Sequence, residues 1–203
     1  MKKNKISKNW INKQHRDLYF KKSKVLGYRS RSSFKLIEID KKFRFLNKNT
    51  YLLDLGSSPG GWSQVAIEKV TNGKILAVDI KDMKKINRVT FLKGDLLNNN
   101  TCNKIRDYFE RKIDVVISDM ATNTTGNKSL DSFSTGQLCL NAMNLSLQTL
   151  KSNGVFLSKI FMGSIFIEIN NKANLYFKKV IKFKPLSSRQ ESKEIYLYCK
   201  GIR

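Results

Sequence analysis

An α/β fold, with a doubly wound and mainly parallel sheet, is predicted by three features of the sequence. Short apolar runs alternate with helix-forming segments. The first run leads into a glycine-rich loop that opens on an acid, Asp54-Leu55-Gly56-Ser57-Ser58-Pro59-Gly60-Gly61. Further acids then close the runs that follow, at Asp79, Asp95 and Asp119. Strand–helix alternation is the pattern of a parallel sheet covered on both faces. In such sheets ligands bind beyond the carboxyl ends of the strands.

The elements follow in order. Phe34, Ile37, Lys41 and Phe45, with Leu36 and Ile39, predict a helix ahead of the first strand. Tyr51–Leu55, Ile75–Asp79, Thr90–Leu92, Asp114–Ser118, Val155–Ile160, Phe177–Phe183 and Ile195–Cys199 read as strands. They are rich in Val, Ile, Leu and Phe, as strands buried on both faces should be. Gly61–Val70, Cys102–Arg111, Phe133–Leu150 and Ser164–Ala173 can form the helices between them. No clear helix separates the last two strands, so they are expected as an antiparallel pair at one edge. With two prolines, no repeat and no linker-like stretch, residues 1–203 are expected to form one domain.

Composition narrows the function. Hydrophobic residues make up 40% of the 203, enough to fill a core. Cys102, Cys139 and Cys199 lie far apart and His15 is the one histidine, so neither a zinc site nor a disulfide scaffold is expected, and no metal. Buried thiols in a reducing cytosol are the favoured reading. No apolar run follows the basic N-terminus, and Gly154–Ile167 is too short to span a bilayer and is broken by Lys159, so a cytoplasmic protein is expected. The net charge is +23, from 39 Lys+Arg against 16 Asp+Glu. The abundance of Lys, Asn and Ile is also what an AT-rich genome produces, yet a field of this size favours a nucleic acid partner. Residues 1–48 hold sixteen Lys and Arg against three Asp and Glu, more than half the net charge in under a quarter of the chain. Trp10, Tyr19, Phe20, Tyr28 and Phe34 are interleaved with these bases, a combination that can stack on and clamp RNA, although Phe34 also suits a helix core. This segment is therefore expected to be a basic RNA-binding flank. Lys24, Arg29 and Arg31 are the leading phosphate contacts, with Lys21 and Lys22 behind them.

The glycine loop matches neither G-x-G-x-x-G, which Ser57-Ser58 breaks, nor a P-loop, since Trp62 follows Gly61. With no phosphate cradle, an acid-led loop suits a nucleoside carrying a cationic tail. Asp79, about 20 residues past the glycines, can accept hydrogen bonds from both hydroxyls of a ribose. Each acid alone has a bland reading, because Asp is common in loops. Four at successive strand ends in a chain short of acids point instead to S-adenosylmethionine, an adenosine whose sulfonium carboxylates tolerate.

Over nearly its whole length the chain resembles the bacterial FtsJ/RrmJ-type ribosomal RNA large-subunit 2′-O-methyltransferases. The segments that carry the likeness are Gly27–Leu36, Asp54–Gln64, Val116–Ala121, Lys159–Gly163, and Ser187-Ser188-Arg189 with Ser192–Tyr196. The chain departs from the family pattern at Thr122, where proline is usual, at Met162, where glutamine is usual, and at residues 151–154, where a Pro-Gly turn is usual. The resemblance implies a seven-stranded Rossmann-like methyltransferase sheet with its last strand antiparallel. It implies a catalytic Lys-Asp-Lys-Glu tetrad at Lys35, Asp119, Lys159 and Glu194, and cofactor contacts from Gly60, Trp62, Asp79, Asp95 and Asp119. The implied substrate is a uridine of 23S ribosomal RNA within the large subunit, and a monomer is expected.

That chemistry suits these residue types. A ribose 2′-hydroxyl is a poor nucleophile, so oxygen, methyl and sulfur must be aligned and the proton removed. Lys159 can take the proton if burial and a neighbouring ammonium, Lys35, favour its neutral form. Asp119 can orient it, and Glu194 can hold Lys35 or Lys159. A lysine inside the apolar run Phe156–Phe161 is costly unless paired. Lys35 and Glu194, without the resemblance, could be solvated surface residues. Two other readings stay open: a non-catalytic RNA-binding or ribosome assembly factor, and a transfer-RNA or messenger-RNA cap methyltransferase.

Overall fold

The computed structural model describes residues 17–122 and 127–203. The first sixteen residues of the expected basic flank, with Trp10 and His15, lie outside the described residues. Helices α1 (Leu18–Val25) and α2 (Ser33–Phe43) precede strand β1 (Leu52–Leu55). Then follow α3 (Gly61–Lys69), β2 (Ile75–Asp79), β3 (Val89–Lys93), α4 (Asn99–Phe109), β4 (Ile113–Ser118) and α5 (Lys128–Thr149). The chain continues through β5 (Leu150–Phe161), α6 (Phe166–Tyr176), β6 (Phe177–Phe183) and β7 (Glu194–Ile202).

The strands form one seven-stranded sheet in the order β3-β2-β1-β4-β5-β7-β6. Strands β1 to β5 pair in parallel, and β7 runs antiparallel to both β5 and β6. The doubly wound sheet read from the sequence is therefore the fold, antiparallel last strand included. The final pair does sit at one edge, but β7 is the inner member and β6 the outer. Helix α1 goes beyond the predicted elements. Its apolar residues form no stripe, and Leu18 and Val25 are exposed. It starts because the Asp17 carboxylate caps it, with Oδ1 accepting from the N–H groups of Tyr19 and Phe20 at 3.1 and 3.2 Å.

Alternation along the strands sorts the core into two layers. Leu52, Ile75, Val115, Ile117, Val155, Leu157, Tyr196 and Tyr198 point to the face covered by α2 and α3, where Leu36, Ile39, Trp62 and Val65 meet them. Leu53, Leu76, Val116, Phe156 and Leu197 point to the face covered by α4, α5 and α6. The same parity reaches the polar residues. Asp54 follows Leu52 by two positions, Asp119 follows Ile117, Lys159 follows Leu157, and Glu194 precedes Tyr196. All four belong to the α2/α3 side, which is why a lysine on α2 can join them.

Phe156 is fully buried and stacks on Phe177, ring centroids 6.1 Å apart. Phe156→Ala removes that ring from a packed layer, and chemical denaturation should show a loss of about 3–5 kcal/mol with an unchanged denaturant slope.

Candidate active site

The carboxyl edge of the sheet is shaped by its first loop. Gly56 leaves β1 at φ +74°, and a Cβ there would lie 2.9 Å from the Cα of Met120. Only glycine lets the turn lie against the chain leaving β4. Asp119, the first residue beyond β4, is tied to β1 by its N–H, which donates to the Leu55 carbonyl at 3.2 Å.

Above this edge is a cavity of about 230 Å³ whose wall includes Asp79, Asp95 and Asp119, with Leu55, Val78, Leu96 and Met120 as apolar surface. The Asp79 carboxylate is held by two backbone donors, Ser58 N–H on Oδ2 at 2.9 Å and Lys81 N–H on Oδ1 at 2.7 Å. Asp95 Oδ1 accepts from Leu97 N–H at 2.9 Å. Beneath the loop lies Asp54, fully buried. Its Oδ2 accepts from the Ser63 hydroxyl at 2.7 Å, while Oδ1 has no partner among the described residues. Burial pushes its carboxyl up to about 7. The Ser63 hydrogen bond works against this, and the charges of Asp119 and Asp79 add to it. Carboxylates set among apolar walls suit a nucleoside with a diol and a positive charge.

Beside the cavity the four tetrad side chains meet in two pairs. Strand register brings the first together: Ser118 of β4 pairs with Ser158 of β5, so Asp119 and Lys159 come next on neighbouring strands. Lys159 Nζ lies 3.1 Å from Asp119 Oδ1 and donates to the Asp119 carbonyl at 2.6 Å. In the second pair, Lys35 Nζ of α2 lies 2.6 Å from Glu194 Oε1, which also accepts from the Ser188 hydroxyl at 2.8 Å. Lys159 and Glu194 are both 8% exposed, so neither pair is a solvated surface contact. Burial opposes ionisation of Asp119. The Lys159 ammonium, then the Lys35 charge, override it and hold the carboxyl below its usual range.

Tyr196 is a site residue that the sequence reading passed over. It is fully buried and donates its hydroxyl to Asp119 Oδ1 at 2.9 Å. Burial, then the charges of Asp119 and Glu194, raise its phenol far above the ordinary value. Lys35 Nζ sits 5.8 Å from its ring centre. The signal was the i, i+2 spacing from Glu194 on a strand.

The remaining expected residues lie elsewhere. Gly60 and Trp62 do not line the cavity. Trp62 is in the core, 5.7 Å from the Tyr196 ring, and its indole donates to the Ser32 carbonyl at 2.9 Å. Lys24 is on the exposed surface of α1, its Nζ 5.5 Å from the Phe20 ring centre. Arg31 donates to Asp17 Oδ2 and to the Ser187 carbonyl, tying α1 to the loop before β7. Arg29 donates to the carbonyls of Pro59, Lys84 and Lys85. Both arginines thus have guanidinium donors bonded to acceptors of the protein itself.

The raised Asp54 carboxyl has a consequence for stability. Its folded value, about 7, lies above the ordinary 3.8. Its favourable contribution is therefore complete below the unfolded value and is lost as pH rises through about 7. Asp54→Asn removes the buried charge. Thermal unfolding should show the variant more stable than wild type at pH 8, by roughly 2–4 °C per kcal/mol relieved, with the advantage smaller at about pH 5 and gone only below the ordinary value of 3.8. An advantage of equal size at both pH values would contradict the assignment.

Comparison with known proteins identifies the family. The FtsJ-like methyltransferase family model matches residues 28–202. A Pelagibacter ubique protein named ribosomal RNA large subunit methyltransferase E is 50% identical over 203 residues, covering 100% of both chains. A Hahella chejuensis protein of the same name is 42% identical over 205 residues, again covering 100% of both. Among solved structures, a candidate ribosomal RNA methyltransferase from Plasmodium falciparum is similar at a TM-score of 0.78 and 34% identity, covering 86% of this chain and 98% of that one. With a family match from α2 through β7 and relatives alike from end to end, the chain belongs to the FtsJ-like methyltransferases.

Proposed function

We propose that this protein transfers the methyl group of S-adenosylmethionine to the ribose 2′-hydroxyl of a uridine in large-subunit ribosomal RNA. The observation that carries this reading is the largely desolvated Lys159–Asp119 pair beside Lys35–Glu194, with Asp119 on the wall of an acid-lined cavity. The names of the full-length relatives support large-subunit ribosomal RNA as the substrate.

The residues of the cavity fit the cofactor. Asp79, its carboxylate fixed by two backbone donors, accepts from the ribose diol. Val78, Ile80 and Leu96 offer apolar surface to the adenine, with Asp95 at its edge. Asp119 faces the positive charge. When bound, S-adenosylmethionine supplies an electrophilic methyl group on a sulfonium.

The chain's own residues manage the nucleophile. Lys159 takes the proton of the 2′-hydroxyl. Asp119 aims the amine, gripping it through both its carboxylate and its carbonyl. Tyr196 holds that carboxylate in place from β7. Glu194 pins Lys35, which sets a second positive charge near Asp119. A lysine must be neutral to accept a proton.

Around this centre the described part of the basic flank forms an RNA platform. Lys21, Lys22 and Lys24 lie on exposed α1, which is anchored by Tyr19 against Phe34, ring centroids 5.4 Å apart. A cytoplasmic monomer acting on the ribosomal subunit is the corresponding setting. Among the described residues no helix is long and apolar enough to cross a membrane.

The direct test is transfer of labelled methyl groups to purified ribosomal RNA and to undermethylated large subunits, followed by mapping of the modified ribose. A label on a base, or on no large-subunit RNA, would overturn the reading. In single-turnover assays Lys159→Ala should lose at least about 100-fold in rate while still binding cofactor. Lys159→Arg should not restore it, because a guanidinium keeps its proton at any working pH. Replacing Lys21, Lys22 and Lys24 together with alanine should weaken RNA binding. The slope of log K against log salt should flatten by about 0.7–0.9 for each phosphate that the variant no longer neutralises.

A further inference from the structure

Arg29 sits in the basic flank, where its charge suggests a phosphate contact. Its geometry assigns it a different task. Nη1 donates to the Pro59 carbonyl at 3.1 Å and to the Lys84 carbonyl at 2.6 Å, and Nη2 donates to the Lys85 carbonyl at 2.8 Å. Pro59 belongs to the glycine loop after β1. Lys84 and Lys85 belong to the loop after β2, which leaves Asp79 at Ile80, both on the cavity wall. One planar fork therefore bridges the two loops on either side of Asp79.

Other contacts are arranged around that bridge. Gly60 has no side chain where a Cβ would come within 2.9 Å of Arg29 Nη1 and 2.7 Å of Ile86 Cδ1. This explains why a glycine outside the cavity wall is needed at that point: its vacant side-chain space admits the guanidinium. The Arg29 N–H donates to Gln64 Oε1 at 2.7 Å, and Gln64 Nε2 returns a bond to the Gly27 carbonyl at 3.0 Å, fixing the segment to α3. On the far side the Ser58 hydroxyl donates to the Asp82 carbonyl at 3.1 Å, joining the same two loops again. Ser58 also supplies the N–H that holds Asp79 Oδ2.

We infer that Arg29 is a positioning residue for the cofactor site: its guanidinium clamps the β1 and β2 loops so that Ser58 holds the Asp79 carboxylate toward the nucleoside ribose. Without it three carbonyls are left without this donor and the loops without a bridge between them. A lysine cannot replace it, because one ammonium cannot bond three carbonyls in this fork geometry. The inference rests on the S-adenosylmethionine reading, and the test separates the two.

The experiment titrates S-adenosylhomocysteine by calorimetry into wild type, Arg29→Lys and Arg29→Ala, and measures RNA binding against salt for the same proteins. Both variants should bind S-adenosylhomocysteine at least about tenfold more weakly, each 1.4 kcal/mol lost being a factor of ten. Both should keep the wild-type salt slope for RNA. In steady-state methyl transfer the KM for the cofactor should rise while kcat at saturating cofactor recovers, a split that loss of folded protein would not produce. Should Arg29→Ala fail to fold, Arg29→Lys carries the test. Wild-type cofactor affinity in Arg29→Lys, with a flattened RNA salt slope in Arg29→Ala, would return Arg29 to the phosphates. No binding of S-adenosylhomocysteine by the wild type would instead overturn the cofactor reading itself.

Discussion

A partly buried carboxylate at the end of a central strand is held ionised by the cations that reach it, and Asp119 is that carboxylate. Most of the site can be traced to how Lys159 and Lys35 come to stand near it. Lys159 does so by register, one strand over. Lys35 does so through Glu194, and Glu194 depends on the direction of β7. A parallel strand beside β5 would bring its last residue to the carboxyl edge. Because β7 is antiparallel, its first residue, Glu194, arrives there, opposite Phe161 at the end of β5. Tyr196, two residues on, stands opposite Lys159 and reaches Asp119. The reversed strand thus places two polar side chains at the one edge where the parallel strands place theirs.

Along this edge the acids divide by their partners. Asp119 has two lysines and a phenol, and its carboxyl is held low. Asp54, beneath the glycine loop, has one serine hydroxyl and a carboxyl raised toward neutrality. Asp79 has neither; it is fixed by backbone N–H groups alone. The edge therefore offers three different carboxylates: one held by cations, one by amides and one by a single hydroxyl. The first two differences suit the tasks proposed for Asp119, aiming an amine and facing a positive charge, and for Asp79, accepting from a diol.

Much of this was legible in the chain. The strands announce themselves as apolar runs, and acids at their ends mark the functional edge without any coordinates. The period of two along Leu157–Lys159 and Glu194–Tyr196–Tyr198 even predicts a shared face. The basic flank shows what such a reading leaves open. A count of charges gives the field of a segment but not where each side chain turns. Arg29 and Arg31 contribute to the count, yet their donors end on Pro59, Lys84, Lys85, Asp17 and Ser187, contacts that span up to 156 residues of sequence. Trp62 lies in the glycine motif but packs into the core, because α3 turns its first residues toward Tyr196 and α2. Helix α1 escaped notice because a cap and a few aromatic contacts hold it, not an apolar stripe.

The central claim is that Lys35 and Glu194 serve the reaction as one pair, carried by a reversed strand to the lysine and carboxylate at the reacting edge. The most direct measurement is a double-mutant cycle of single-turnover methyl-transfer rates for Lys35→Ala, Glu194→Ala and the double variant, at saturating cofactor. If the pair acts as a unit, the double variant should be no slower than the slower single variant. Losses that multiply, each side chain contributing independently of the other, would contradict the account.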